Sequence, residues 1–193
     1  MRKCTAIIVR HGGYARQKFG DGPLTEGGVE TVEGTANVII GELEMLCSGI
    51  DLALISGSLR GMDTFVTIQK EMMHPEVQID VAERLIHTDF YSSAKEAGDW
   101  RKLHGPDSEA YFPDFTASCE IMAEELAILK HAPHLFTGPA NRVVEAIREA
   151  QARGKTTFLI VTHGGYEQVI VKALTGENCE TLGLGKHMTI KFD

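Results

Sequence analysis

Ala6-Ile7-Ile8-Val9-Arg10-His11-Gly12-Gly13 is an apolar run that stops abruptly in a cation, an imidazole and two glycines. A short run rich in β-branched residues, with no polar alternation, reads as a strand buried on both faces of a parallel sheet. The glycines let the chain turn sharply where such a strand emerges. Ligands of open α/β sheets collect beyond the carboxyl ends of the strands, which is where Arg10 and His11 fall. The same grammar returns at Thr157-Phe158-Leu159-Ile160-Val161-Thr162-His163-Gly164-Gly165. If the two strands are neighbours, their imidazoles stand side by side.

Outward from these strands, helices and strands alternate. A stripe of Val32, Ala36, Ile39, Ile40, Leu43 and Leu46 predicts a helix from about Val29 to Leu46, entered at Thr25-Glu26-Gly27-Gly28 and ended by Ser48-Gly49. Leu52–Ser56 predicts a second strand. Arg60 then opens a helix carrying Phe65, Val66, Ile68 and Met72 and closed by Pro75. A helix start is electropositive and suits an anion. Val77–Val81 alternates as a third strand. Pro139–Arg153 predicts a helix with proline at its start and Gly154 as its stop. Tyr166–Leu174 predicts another, and Met188–Phe192 an edge strand. The expected fold is a three-layer α/β/α sandwich on a mainly parallel sheet, one domain over residues 1–193.

Composition narrows the function. The chain has 193 residues, 24% of them charged, and a net charge of −8 with pI near 5.5. A nucleic-acid binder would carry a basic face, whereas a few local arginines suffice to hold a phosphate in one cleft. No apolar run reaches the length of a membrane span, and no signal peptide is expected. Cys4, Cys47, Cys119 and Cys179 are widely spaced, as for free thiols in a reducing cytoplasm. His131 and His134 flank Pro133 without a third ligand spaced to them, so no metal is expected.

The paired His-Gly-Gly strands resemble the histidine phosphatase superfamily, also called phosphoglycerate-mutase-like. Its signature is Arg-His-Gly after the first strand and a second His-Gly after a late one. Leu24-Thr25-Glu26-Gly27-Gly28 matches its Leu-Thr/Ser-x-x-Gly. Ser56-Gly57-Ser58-Leu59-Arg60-Gly61-Met62-Asp63-Thr64 matches its Ser-x-x-x-Arg-x-x-x-Thr. The resemblance implies a phosphatase acting on a phosphorylated small molecule or phosphoprotein through a phosphohistidine on His11. Arg10 and Arg60 would grip the phosphoryl oxygens and His163 would donate to one of them. Gln17 falls where the family often has a pocket-lining Asn, and Gly12 and Gly164 complete the expected substrate-binding set. No cofactor is implied, and the pattern fixes no oligomeric state.

One position departs from the family. Where it has Arg-Leu-x-Glu, with Glu protonating the leaving oxygen, this chain reads Arg84-Leu85-Ile86-His87. Asp89 is the first candidate for that acid, His87 the second and Glu83 the third. A cap insertion is expected at about residues 83–135, over the end of the first strand. The missing Glu leaves two alternatives open: a binder of phosphate ligands without turnover, and a phosphoglycerate mutase-type phosphotransferase.

Overall fold

The computed structural model describes residues 3–15, 22–72, 79–80 and 134–193. The elements are β1 (Cys4–Arg10), α1 (Glu26–Met45), β2 (Leu52–Ile55), α2 (Leu59–Met72), β3 (Ile79–Asp80), α3 (His134–Ala152), β4 (Thr157–Thr162), α4 (Tyr166–Thr175) and β5 (His187–Phe192). They build one sheet in the order β3-β2-β4-β1-β5. The first four strands run parallel, and β5 pairs antiparallel with β1 at the edge.

The apolar runs are buried on both sides because helices cover both faces. From one side, Ile7 and Val9 of β1 pack with Val32, Ala36, Ile39 and Leu43 of α1 and Phe65 and Ile68 of α2. From the other, Ala6 and Ile8 pack with Val143, Ile147 and Ala150 of α3 and Ile170 and Leu174 of α4. Odd and even residues of a strand face opposite ways, so a continuous apolar run is what two covering layers demand.

The edge strand has a topological cause. After α4 ends at Gly176, in left-handed conformation at φ 79°, residues 177–186 carry the chain back to the carboxyl edge. There Lys186 accepts from the Arg10 N–H (2.9 Å) and the Gly185 N–H reaches the His11 carbonyl (2.9 Å). A strand starting from that edge runs against β1.

Several element ends shift by one residue, and three boundaries are set by residues other than those the sequence suggested. α1 begins at Glu26 rather than Val29, because Thr25 is its N-cap and accepts from the Gly28 N–H at 3.1 Å. It is not ended by Ser48-Gly49: Cys47 takes the left-handed place at φ 48°. Ser48 N–H bonds to Leu43 O (3.1 Å) and Cys47 N–H to Glu44 O (3.0 Å), the two bonds of a Schellman stop that glycine usually makes. α3 begins at His134, not Pro139. The proline stands inside the second turn, where it forfeits one backbone bond without stopping the helix. The expected cap segment therefore loses its last two residues to α3. Its residues 83–133 lie outside the described residues, as do Pro75 and all of the expected third strand except Ile79 and Asp80.

Candidate active site

The register of β1 against β4 pairs Arg10 with Thr162. The next residue of each strand is a histidine, so the backbone delivers His11 and His163 to adjacent places. Their ring centroids lie 4.9 Å apart with planes tilted by 60°. β2 lies on the far side of β4, and the Ser56 N–H extends that pairing to the Val161 carbonyl at 2.9 Å. The turn at Gly57 then opens α2 toward the histidines. Ser58 is the N-cap of α2: its Oγ accepts from the Gly61 N–H at 3.1 Å. Two residues into the helix, Arg60 places Nε 3.3 Å from His11 Nε2.

Arg10, His11, Arg60 and His163 are 1%, 4%, 7% and 6% exposed. Two guanidinium groups and two imidazoles are thus gathered, buried, at the carboxyl edge of the sheet, where an anion would be met by charge and by a helix N-terminus together. Arg10 is steadied from below. Its Nη1 donates to the Leu182 carbonyl at 2.7 Å, and the Leu182 N–H donates to Oε1 of the fully buried Glu167 at 3.2 Å.

The hydrogen bonds set the protonation of His11. Its Nδ1 stands 2.8 Å from the Gly12 carbonyl, which can only accept, so Nδ1 carries the proton. Nε2 then holds the lone pair, in keeping with the N–H that Arg60 offers it. Burial holds the His11 pKa well below 6.5, with the charges of Arg60 and then Arg10 acting the same way. His163 is likewise held well below 6.5, by burial, then Arg60, His11 and Arg10. Both rings are neutral at pH 7.

Tight backbone packing holds the His11 turn. The Gly12 N–H donates to Thr64 Oγ1 (3.0 Å), which itself bonds the Arg60 carbonyl (2.7 Å). Thr64 thereby fastens the His11 turn to α2. A Cβ on Gly12 would meet Val32 at 2.8 Å and the Gly28 carbonyl oxygen at 2.9 Å. Gly12 is bare for packing against α1, a need separate from the expected substrate contact. Gly164 lies buried in the turn between β4 and α4.

The structure therefore brings together Arg10, His11, Arg60 and His163, as the motifs led one to expect. Gln17, Glu83, His87, Asp89 and His131 lie outside the described residues. Three contributors were not singled out from sequence. Tyr14 lies under Arg60, with Cζ 4.6 Å from its ring centroid, and meets His11 edge-on at 5.4 Å. Ser58 stands 3.3 Å from His163 Nε2, and Glu167 supports Arg10 through the Leu182 peptide. Tyr14 sits in a polar loop of the kind that walls a site and Glu167 is an acid within an apolar helix stripe, so both carried a signal, whereas Ser58, in a variable motif position, carried none.

Among the described residues no three metal-ligating side chains cluster, and no helix is long and apolar enough to cross a membrane. Among the described residues, Cys4, Cys47 and Cys179 form no disulfide.

Comparison with known proteins shows what the chain resembles. The sequence model of the histidine phosphatase superfamily (branch 1) matches residues 6–189. Three solved structures share the fold. One is the protein histidine phosphatase SixA complexed with tungstate, with TM-score 0.58 and 16% identity over 98% of this chain and 96% of that one. Another is a phosphoglycerate mutase from Bacillus anthracis str. Sterne, with TM-score 0.63 and 17% identity over 99% and 88%. A third is a mycobacterial glucosyl-3-phosphoglycerate phosphatase, with TM-score 0.58 and 19% identity over 98% and 91%. A comparison with curated proteins found no match.

Proposed function

This chain belongs to the histidine phosphatase superfamily, and from that premise we propose that it is a phosphatase that hydrolyses a phosphomonoester or phosphoprotein through a phosphohistidine on His11. The observation that carries this reading is the state of His11: neutral, its proton committed to the Gly12 carbonyl and its Nε2 lone pair directed at Arg60. A neutral imidazole is a competent nucleophile near pH 7 once a bound phosphoryl group draws the Arg60 guanidinium off its Nε2 lone pair.

In the first half-reaction His11 Nε2 attacks phosphorus in line, and the N–P bond forms as the bond to the leaving oxygen breaks. The electron pair leaves with that oxygen, which takes a proton from a general acid. The positive charge left on the ring is spread toward the Gly12 carbonyl through Nδ1–H. Arg10 and Arg60 stabilise the phosphoryl oxygens and His163 donates to one of them, groups already gathered at the site before the reaction begins. In the second half, water attacks the phosphohistidine, releasing inorganic phosphate and restoring the lone pair.

The leaving-group acid belongs, on this reading, to the segment Glu83–Asp89, with Asp89 ahead of His87. The segment that follows β3 is assigned as a cap. Support comes from topology: β3 is parallel to β2, so the chain leaves Asp80 at the carboxyl edge of the sheet, the edge that holds the histidines.

His11→Ala tests the proposal. It should abolish release of phosphate from a chromogenic aryl phosphate while leaving the thermal midpoint within a few degrees. Retained activity would remove His11 as nucleophile. Rapid-quench labelling should trap an acid-labile phosphoryl group in the wild type, and transfer of that group to a second hydroxyl rather than to water would make the enzyme a mutase.

A further inference from the structure

Ser58 has three polar neighbours. Its Oγ is 3.1 Å from the Gly61 N–H, 3.0 Å from Ser56 Oγ and 3.3 Å from His163 Nε2. A hydroxyl offers one proton and two lone pairs. The Gly61 N–H can only donate, so it takes one lone pair. One proton and one lone pair are left for Ser56 and His163, which permits two arrangements. In one, His163 donates from Nε2 and Ser58 donates to Ser56. In the other, Ser58 donates to His163 Nε2 and accepts from Ser56.

His163 decides between them. The ring is buried and neutral at pH 7, so it holds a single N–H. Its Nδ1 is fully buried and has no hydrogen-bond partner among the described residues. A proton on Nε2 would be spent on Ser58 and leave Nδ1 a bare lone pair, which repels an anion. A proton on Nδ1 leaves Nε2 to accept from Ser58 and keeps one N–H for a phosphoryl oxygen.

We propose that the Ser58 hydroxyl sets the tautomer of His163, donating to Nε2 so that Nδ1–H is the group offered to the bound anion. The inference rests on the reading of His163 as a phosphoryl-oxygen donor and makes Ser58 a positioning residue for it. The N-cap bond is what makes Ser58 suited to this, because it pins the side chain to one rotamer before any ligand arrives.

The test uses Ser58→Gly, which removes the hydroxyl while glycine remains tolerated at a helix N-cap, and Ser58→Thr, which restores it. Nitrogen-15 spectra of the ligand-free protein, labelled at histidine and assigned with His163→Asn, report which ring nitrogen is protonated. The wild type and Ser58→Thr should show His163 protonated at Nδ1, and Ser58→Gly should move it toward Nε2. On an aryl phosphate, kcat/KM should fall about fivefold to tenfold in Ser58→Gly, the effect of one hydrogen bond, and Ser58→Thr should recover most of it. A wild-type ring protonated at Nε2, or a tautomer unchanged in Ser58→Gly, overturns the proposal. The spectra need no turnover, so they decide the role of Ser58 even if His11→Ala shows the phosphatase reading to be wrong.

Discussion

Gly28 offers the sharpest test of how the site is held, because its neighbour in the fold is the backbone that follows the nucleophile. A Cβ built on Gly28 would overlap the carbonyl oxygen of Gly13 and press on its carbon at 2.8 Å. That carbonyl already accepts from the Thr25 N–H at 2.9 Å, so it cannot swing aside cheaply. In Gly28→Ala the turn after His11 must therefore shift away from α1 or the helix must shift away from it. Overpacking of this kind costs about 1–3 kcal/mol, and alanine in a helix returns up to about 1 kcal/mol over glycine. The net loss of about 0–2 kcal/mol lowers the thermal midpoint by only a few degrees in a chain this long. Activity should suffer far more, because a displacement of about 1 Å at a reacting group costs on the order of 100-fold. Gly34 is the control: it lies exposed on the same helix with nothing within 4 Å of its would-be Cβ. Gly34→Ala should gain about 1 kcal/mol and leave turnover unchanged. Urea unfolding and initial rates on an aryl phosphate, run on both variants, settle the matter. A Gly28→Ala protein with near wild-type activity would refute the idea that this contact positions His11.

Cys47→Gly should raise stability by about 1 kcal/mol in urea, since it relieves a left-handed backbone at a non-glycine residue; an unchanged midpoint would mean the strain is absorbed elsewhere. Acid should weaken the fold through the two buried imidazoles. Their native pKa values lie below 6.5, so beneath that pH the unfolded chain binds protons that the native state refuses. Their contribution is complete above pH 6.5 and is lost as pH falls, each by up to about 1.4 kcal/mol per pH unit. Urea midpoints from pH 7.5 to 5 should show a shallower decline in His163→Asn than in the wild type, and equal slopes would contradict the burial argument. Tyr14→Ala should raise KM for an aryl phosphate several-fold while Tyr14→Phe stays close to wild type, because the ring face rather than the hydroxyl holds Arg60, an interaction worth about 0.5–2 kcal/mol; equal effects would assign the role to the hydroxyl.

The sequence alone determined the layers of this protein and the identity of its reactive groups. Strands such as Ile7–Val9 and Leu159–Val161 are apolar at every position because both faces are covered, and that pattern is local. So are the helical stripes and the His-Gly-Gly turns, whose glycines mark where each strand must stop. What the tertiary structure decided is whatever depends on register and approach. β1 and β4 are far apart in the chain, and only their pairing of Arg10 with Thr162 makes neighbours of the two histidines. The lone pair on His11 Nε2 follows from a carbonyl one residue away and a guanidinium 49 positions on. Ser58, Tyr14 and the Leu182 carbonyl enter the site through bonds and ring contacts that no periodicity encodes. The boundaries read at Pro139 and at Ser48-Gly49 misled for the same reason. A proline past the first turn costs about 3 kcal/mol and a left-handed residue favours glycine, but each is a local cost that packing of the whole helix can override.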